Sequence, residues 1–297
     1  MRVVLNSSTS FAKESSHISF METMKLEGLC SQTEAWLFYY GWSRVYDRMQ
    51  PFFTSNEMRE AGLDLANLNG PLKILDVGAG TGTLSLQVAK RCGAERLTLL
   101  DQSAQMLNQA KAKLPLAPCE FVLSDAQTLP FDDDSFDRVV SSGSFYYFPD
   151  PVAALREQLR VVRPGGCVLV MGSLQPKPLF IRFFAQMFNR FPTEEQYHAW
   201  FAEAGLTDVK AIHVSNPWNA KQYAIAICGV KAPGTANPPR NLPLPDTPTT
   251  RLHRLAKLPL VLARFGLALG AFFVIGPLQV ATAAIGMHRL KAAQATS

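Results

Sequence analysis

Between residues 72 and 172 the chain alternates short runs of β-branched and aliphatic residues with longer stretches whose apolar positions recur at helical spacing. The short runs are KILDV, LTLLD, FVLSD, FDRVVSS and CVLVMG, and helices are expected from about Leu84, from about Ser103 and over 152–162. That alternation predicts a parallel sheet with crossover helices. Ser103, just before AQMLNQAKAK, is placed to cap its helix, and Arg163-Pro164-Gly165-Gly166 is expected to halt the third helix before the next strand. VKAIHV and QYAIAICGV, near 209–230, read as two closing strands, with helices filling 178–204. Upstream, EAWLFYYGWSRVYDR over 34–48 sets large aromatic groups at helical spacing, the pattern of an amphipathic helix on the core or of a lid over a site.

The same pattern divides the chain. Residues 1–33 carry several Ser but no continuous apolar run, which excludes an ordinary secretory signal; they read as a flexible N-terminus or a short targeting segment, against which Glu14, Glu22 and Glu27 weigh. A globular domain is expected over 34–231, then a Pro-rich linker over 232–250. In 251–297, Arg251, Arg254, Lys257 and Arg264 precede an uncharged run from Phe265 to Met287, and His288, Arg289 and Lys291 close it. As a helix that run is roughly 35 Å long at about 1.5 Å per residue, against a hydrocarbon core of about 30 Å. A membrane anchor spanning about 265–287 is the expectation, with a buried or interfacial helix as the alternatives. Its basic amino side would keep the preceding domain on the cytoplasmic or stromal face.

Charge changes the picture little. The net charge of +5 belongs to the tail, because eight Lys/Arg against one Asp fall in 231–297, leaving 21 against 23 before it. The globular part is slightly acidic and has no basic stripe with interleaved aromatics, so nucleic acid is rejected as the main partner. The five cysteines, Cys30, Cys92, Cys119, Cys167 and Cys228, show no disulfide or zinc spacing and read as buried thiols. The histidines form no ligand cluster, and no metal is expected.

The candidate chemistry lies at strand ends. Asp76-Val77-Gly78-Ala79-Gly80-Thr81-Gly82 follows a strand and precedes a helix. Its G-x-G-x-G spacing differs from the G-x-G-x-x-G that lays a pyrophosphate on a helix N-terminus. Asp76 would repel a pyrophosphate but could bind the cationic end of an amino acid, favouring S-adenosylmethionine over a dinucleotide. Asp101 ends the next strand, about 20 residues on, where a carboxylate accepts ribose hydroxyls. Asp125 ends the third, placed to accept from an adenine amine while Ala126 offers its backbone N–H.

The run from Asp76 through Leu129-Pro130-Phe131, Phe136-Asp137-Arg138-Val139-Val140 and Arg160-Val161-Val162-Arg163-Pro164-Gly165-Gly166 resembles class I S-adenosylmethionine-dependent methyltransferases. The stretch from Val140 to Pro151, with Arg182-Phe183-Phe184, the run Phe191-Pro192-Thr193-Glu194-Glu195-Gln196-Tyr197, and Trp200-Phe201, resembles more narrowly the plant-type 2-methyl-6-phytyl-1,4-benzoquinol methyltransferase family of tocopherol and plastoquinone synthesis. The resemblance implies an α/β fold, a Rossmann-like seven-stranded sheet with helices on both faces and an antiparallel last strand, followed by the C-terminal membrane helix. It also implies C-methylation of a benzoquinol ring bearing a phytyl or solanyl chain. The partners would be a lipophilic prenylquinol and the lipid bilayer, at the inner plastid envelope with the catalytic domain on the stromal side, or alternatively at a cytoplasmic membrane. The candidate cofactor-binding set is Asp76, Gly78, Gly80, Gly82, Asp101, Gln102, Asp125, Ala126 and Ser141. A base to deprotonate the quinol stays unassigned among Tyr146, Tyr147, His198 and His213. Trp36, Phe38, Tyr39, Tyr40 and Trp42, with the phenylalanines at 180–191, are candidates for a wall around the prenyl tail. A methyltransferase acting on another quinone precursor, sterol or lipid, and a non-catalytic S-adenosylmethionine-binding scaffold, are the competing readings.

Overall fold

Strand β1 (Ile74–Val77) is buried at every position, as the middle strand of a parallel sheet covered on both faces must be. It pairs in parallel with β2 (Leu97–Asp101) on one side and with β4 (Phe136–Ser142) on the other. In a computed structural model that describes residues 56–175, 182, 191–216, 219–242 and 259, these strands belong to a seven-stranded sheet of order β3-β2-β1-β4-β5-β7-β6. The remaining strands are β3 (Glu120–Leu123), β5 (Val162–Ser173), β6 (Thr207–Asn216) and β7 (Asn219–Val230). Only β7 runs against its neighbours, as the expected antiparallel last strand. Strand order reverses direction at β1, which places a crevice beyond its carboxyl end, where open α/β sheets bind ligands.

Helices cover both faces. On one, α1 (Asn56–Leu65), α2 (Thr83–Cys92) and α3 (Ala104–Lys111) enclose a core that includes Leu63, Leu84, Val88, Leu99, Leu107, Val140 and Met171. On the other, α4 (Pro151–Val161) and α5 (Glu194–Ala204) bury Leu155, Leu159, Tyr197 and Phe201 against Val139, Val168 and Ile227. Each aliphatic side chain so buried contributes about 1.5–3 kcal/mol. Local chemistry sets the helix starts. Ser103 accepts from the Met106 N–H as expected, Asp150 accepts from Ala153 with Pro151 opening the helix, and Thr193 and Gln196 cap each other reciprocally. Helix α1 seats closely on the sheet through Gly62, where a Cβ would lie 2.4 Å from Met171 Sδ.

Several expectations change. The 163–166 segment does not separate helix from strand: β5 begins at Val162, with Gly165 and Gly166 paired to Lys231 through backbone hydrogen bonds. The Pro-rich stretch after 231 is tied to the domain as far as it is described. Arg240 donates to Leu129 O, Asn241 Nδ2 donates to Gln127 O, and the Asn241 N–H donates to Glu157. The aromatic segment at 34–48, the phenylalanines at 180–188 and Cys30 lie outside the described residues; Cys92, Cys119, Cys167 and Cys228 are buried free thiols.

The membrane helix is corrected. No helix of the described residues is long and apolar enough to cross a membrane, and Phe265–Met287 lies outside them. The architecture that stands is the seven-stranded sheet with helices on both faces. The bilayer as a partner, and attachment to the inner plastid envelope or a cytoplasmic membrane, rested on that helix and fall with it.

Candidate functional site

The carboxyl ends of β1, β2, β3 and β4 surround a cleft with about 840 Å³ of empty space, its open mouth included. Asp76 lies one residue before the end of β1, Asp101 ends β2 and Asp125 lies two residues beyond β3, but those acids do different things.

Asp101 and Asp125 line the cleft with Gln102 and Ala126. One Asp101 oxygen accepts from the Gly80 N–H at 2.8 Å and the other from the Ser103 N–H at 2.8 Å. The carboxylate therefore ties the glycine loop to the start of α3 while facing the cleft. Burial pushes its proton affinity up, and the N–H donors of Ser103, Gly80 and Gln102 oppose that. Asp125 is fixed by accepting from the Gln127 N–H at 3.0 Å.

Asp76 is 1% exposed and sits behind the cleft wall, accepting a 2.6 Å hydrogen bond from Ser85 Oγ on α2. Burial pushes its pKa up to about 7; the Ser85 hydrogen bond and Arg59 pull it down, and Asp101 adds to the rise. At neutral pH this carboxyl is poised between its charged and neutral forms.

The three loop glycines all have positive φ but separate into distinct roles. Gly78 and Gly80 line the cleft. A Cβ on Gly80 would meet nothing within 4 Å, so bare backbone is presented where a ligand approaches. A Cβ on Gly78 would strike Ser144, and one on Gly82 would come within 2.6 Å of Leu116 and 3.2 Å of Ala110, inside the packing of α2. Gly82 is thus a packing glycine. Ser141, fully buried, bonds Ser144 at 2.7 Å, and Ser144 donates to Val77 O at 3.2 Å. Asp76, Gly82 and Ser141 do not line the cleft; they shape it from behind.

The structure adds residues that the sequence reading passed over. Thr81, Thr83, Met106, Ser142, Gly143 and Phe148 line the cleft, as does Arg59 from α1. Arg59 had a legible signal, since it shares the spacing of Gly62, Leu63 and Ala66, the buried stripe of that helix, where a charge is out of place. Of the base candidates, Tyr147 lines the cleft, whereas His198 does not and His213 pairs with Glu194 at 2.8 Å.

The bare loop, the acids at successive strand ends and the buried carboxyl fit a donor with a ribose and an ammonium group. Comparison with known proteins agrees. A methyltransferase-domain family profile matches residues 74–166. The 2-methyl-6-phytyl-1,4-hydroquinone methyltransferase 2 of Oryza sativa subsp. japonica is 42% identical over 187 residues, covering 62% of this chain and 54% of that protein. The demethylmenaquinone methyltransferase of Staphylococcus epidermidis is 30% identical, covering 56% of this chain and 82% of its own. The chain belongs to the methyltransferases. S-adenosylmethionine is the cofactor that goes with this family and fold. The chain spans little more than half the length of its rice relative. Among solved structures, the methyltransferase in complex with the Haloferax volcanii Trm112 activator superposes with a TM-score of 0.58 at 21% identity, covering 67% of this chain and 97% of that one, a likeness of fold alone.

Proposed function

We propose that the chain transfers a methyl group from S-adenosylmethionine to a ring carbon of a prenylated benzoquinol bearing a phytyl or solanyl chain. The observation that carries this reading is the 38–42% identity to four plant relatives named for the phytyl hydroquinone. When bound, the donor supplies an electrophilic methyl on a sulfonium. The residues divide the work of holding it. Asp101 accepts the ribose hydroxyls, its orientation fixed by the Gly80 and Ser103 N–H groups. Asp125 and Ala126 hold the adenine edge, with Gln102 beside them. Ionised Asp76 attracts the ammonium end through the thin glycine loop, and Gly78 and Gly80 allow close approach. Met106, Tyr147 and Phe148 supply apolar walls that exclude water, so that binding energy goes into aligning donor and ring carbon. A quinol becomes a stronger carbon nucleophile on losing its proton, and Tyr147 is the base candidate in position to face it.

The test is transfer of labelled methyl to a panel of prenylated quinols in detergent, with Asp76→Asn as control. Label on 2-methyl-6-phytyl or 2-methyl-6-solanyl benzoquinol, lost in the variant, is the expected result. Label only on demethylmenaquinol would move the acceptor toward that of the bacterial relative. Donor binding without transfer to any quinol would overturn the proposal.

A further inference from the structure

Two segments of the cleft wall run straight into a hydrogen-bonded cluster behind it. Asp125 and Ala126 line the cleft and Gln127 follows them; Phe148 and Pro149 line it and Asp150 follows. Gln127 and Asp150 meet, the Asp150 N–H donating to Gln127 Oε1 at 2.9 Å, while Asp150 accepts from the Ala153 N–H to cap α4. The side-chain amide of Asn241 completes the cluster. Its Nδ2 donates to Gln127 O at 2.9 Å and to Ala153 O at 3.3 Å. A primary amide has two N–H donors, and both are spent here on carbonyls, so its oxygen cannot take that position. The Asn241 backbone N–H donates to Glu157 Oε1 at 3.1 Å, and the other Glu157 oxygen accepts from the Leu129 N–H at 2.8 Å. One residue thus closes two circuits that join the loop after β3 to α4.

The chain reaches this point on a defined path. Asn237 donates to Asp133 Oδ2 at 2.9 Å, just before β4, Arg240 donates to Leu129 O at 3.1 Å, and Asn241 then bonds Gln127. The stretch therefore runs back along the loop from the amino end of the sheet to its carboxyl end, where the cleft lies. Leu129 is also held from the core, its carbonyl accepting from Arg160 Nη2 at 3.0 Å. Gln127 is the link nearer the cleft, one residue from Ala126, and there Asn241 supplies a tie to the main chain.

We infer that Asn241 is a positioning residue for the cleft: by clasping Gln127 to the first turn of α4 it sets the separation of the Asp125–Ala126 and Phe148–Pro149 segments. The inference deepens the donor site proposed above and rests on that reading. Linkage makes the effect reciprocal. A ligand that binds only the clasped geometry tightens the clasp by the factor that the clasp adds to its binding.

The probe is S-adenosylhomocysteine, titrated calorimetrically into the full chain. Asn241→Leu keeps the size and branching of the side chain and removes both donors, and it should weaken binding at least roughly fivefold. Arg240→Met loosens the same stretch but spares the tie at Gln127, and its affinity should stay within about twofold of wild type. A loss confined to thermal stability in Asn241→Leu, with affinity unchanged, overturns the inference; so do equal affinity losses in the two variants. Should Asn241→Leu fail to fold, hydrogen exchange on wild type carries the test. Amides at 127–129 and at 240–242 should exchange more slowly with the ligand bound, and exchange there that ignores the ligand overturns the inference. A wild type that does not bind S-adenosylhomocysteine would sink the donor reading and the inference with it, a failure distinct from binding that the substitution leaves unchanged.

Discussion

A carboxyl group held at a pKa of about 7 is a stability cost with a function attached, and Asp76 shows both sides. Its folded value lies above the unfolded one of 3.8, so between about pH 4 and 7 the native state binds the extra proton. Stability therefore falls as pH rises through that window. Asp76→Asn keeps an acceptor for Ser85 Oγ and removes the ionisation. At pH 8 its melting temperature should exceed that of wild type by at least roughly 3 °C, with the gap closing toward pH 5. Donor affinity should behave oppositely. In wild type it weakens as pH drops below about 7 and the carboxylate is neutralised; in the variant it is weak at every pH. Parallel thermal melts and donor titrations check both signs, and a variant less stable than wild type at pH 8 would contradict the argument. The spacing of Asp76 before the glycines was legible in the sequence. Its place behind the cleft wall was not, because Ser85, nine residues on, becomes a neighbour only once α2 folds back over β1.

At the scale of elements, the loop joining β1 to α2 combines backbone exposed to a ligand with backbone exposed to a helix. The left-handed conformations of Gly80 and Gly82 each cost a Cβ-bearing residue about 1–2 kcal/mol. Gly82→Ala adds a clash with Leu116 and Ala110, worth about 1–3 kcal/mol more. Urea melts should therefore place Gly82→Ala below Gly80→Ala in stability, while donor titration reverses the order, since only Gly80 faces the open cleft. Equal losses in both measurements would remove the distinction. G-x-G-x-G is read from sequence as one motif; which of its glycines serves packing depends on what α3 and the turn after it bring alongside. The helix and strand boundaries were legible where capping chemistry is local, at Ser103 and Asp150. They were misread at 163–166, where pairing with Lys231 extends β5 back through a Pro-Gly-Gly run that local propensity assigns to a turn.

For the whole molecule, the cleft is at one end of the sheet and the chain's exit from β7 is at the other, where Gly165 and Gly166 meet Lys231. Lys231 is fully buried there, donating to Asp134 at 2.5 Å and to Val162 O at 2.7 Å. Arg160, 1% exposed, bonds Glu157, Asp133 and the carbonyls of Phe131 and Leu129. This network seals the end of the domain and holds the stretch that follows. Lys231→Met removes the donor to the Asp134 carboxylate, to Arg160 O, Val162 O and Asn237 Oδ1, and should cost about 1–3 kcal/mol in denaturant unfolding. Donor affinity should stay within about twofold of wild type, because the change lies at the opposite end of the strands. A large affinity loss would mean that the two ends are coupled.

The sequence alone determined the order of the strands and of the helices between them, the acids near three successive strand ends and the methyltransferase family, because periodicity, capping and strand-end residues are local properties of the chain. Only the tertiary structure decided that Asp76, Gly82 and Ser141 shape the cleft from behind, that Arg59 enters it from a helix preceding the first strand, and that the Pro-rich stretch is tied to the domain through Asn241. Those contacts join residues far apart in the chain, and their energies arise from burial and charge proximity, which linear spacing does not encode.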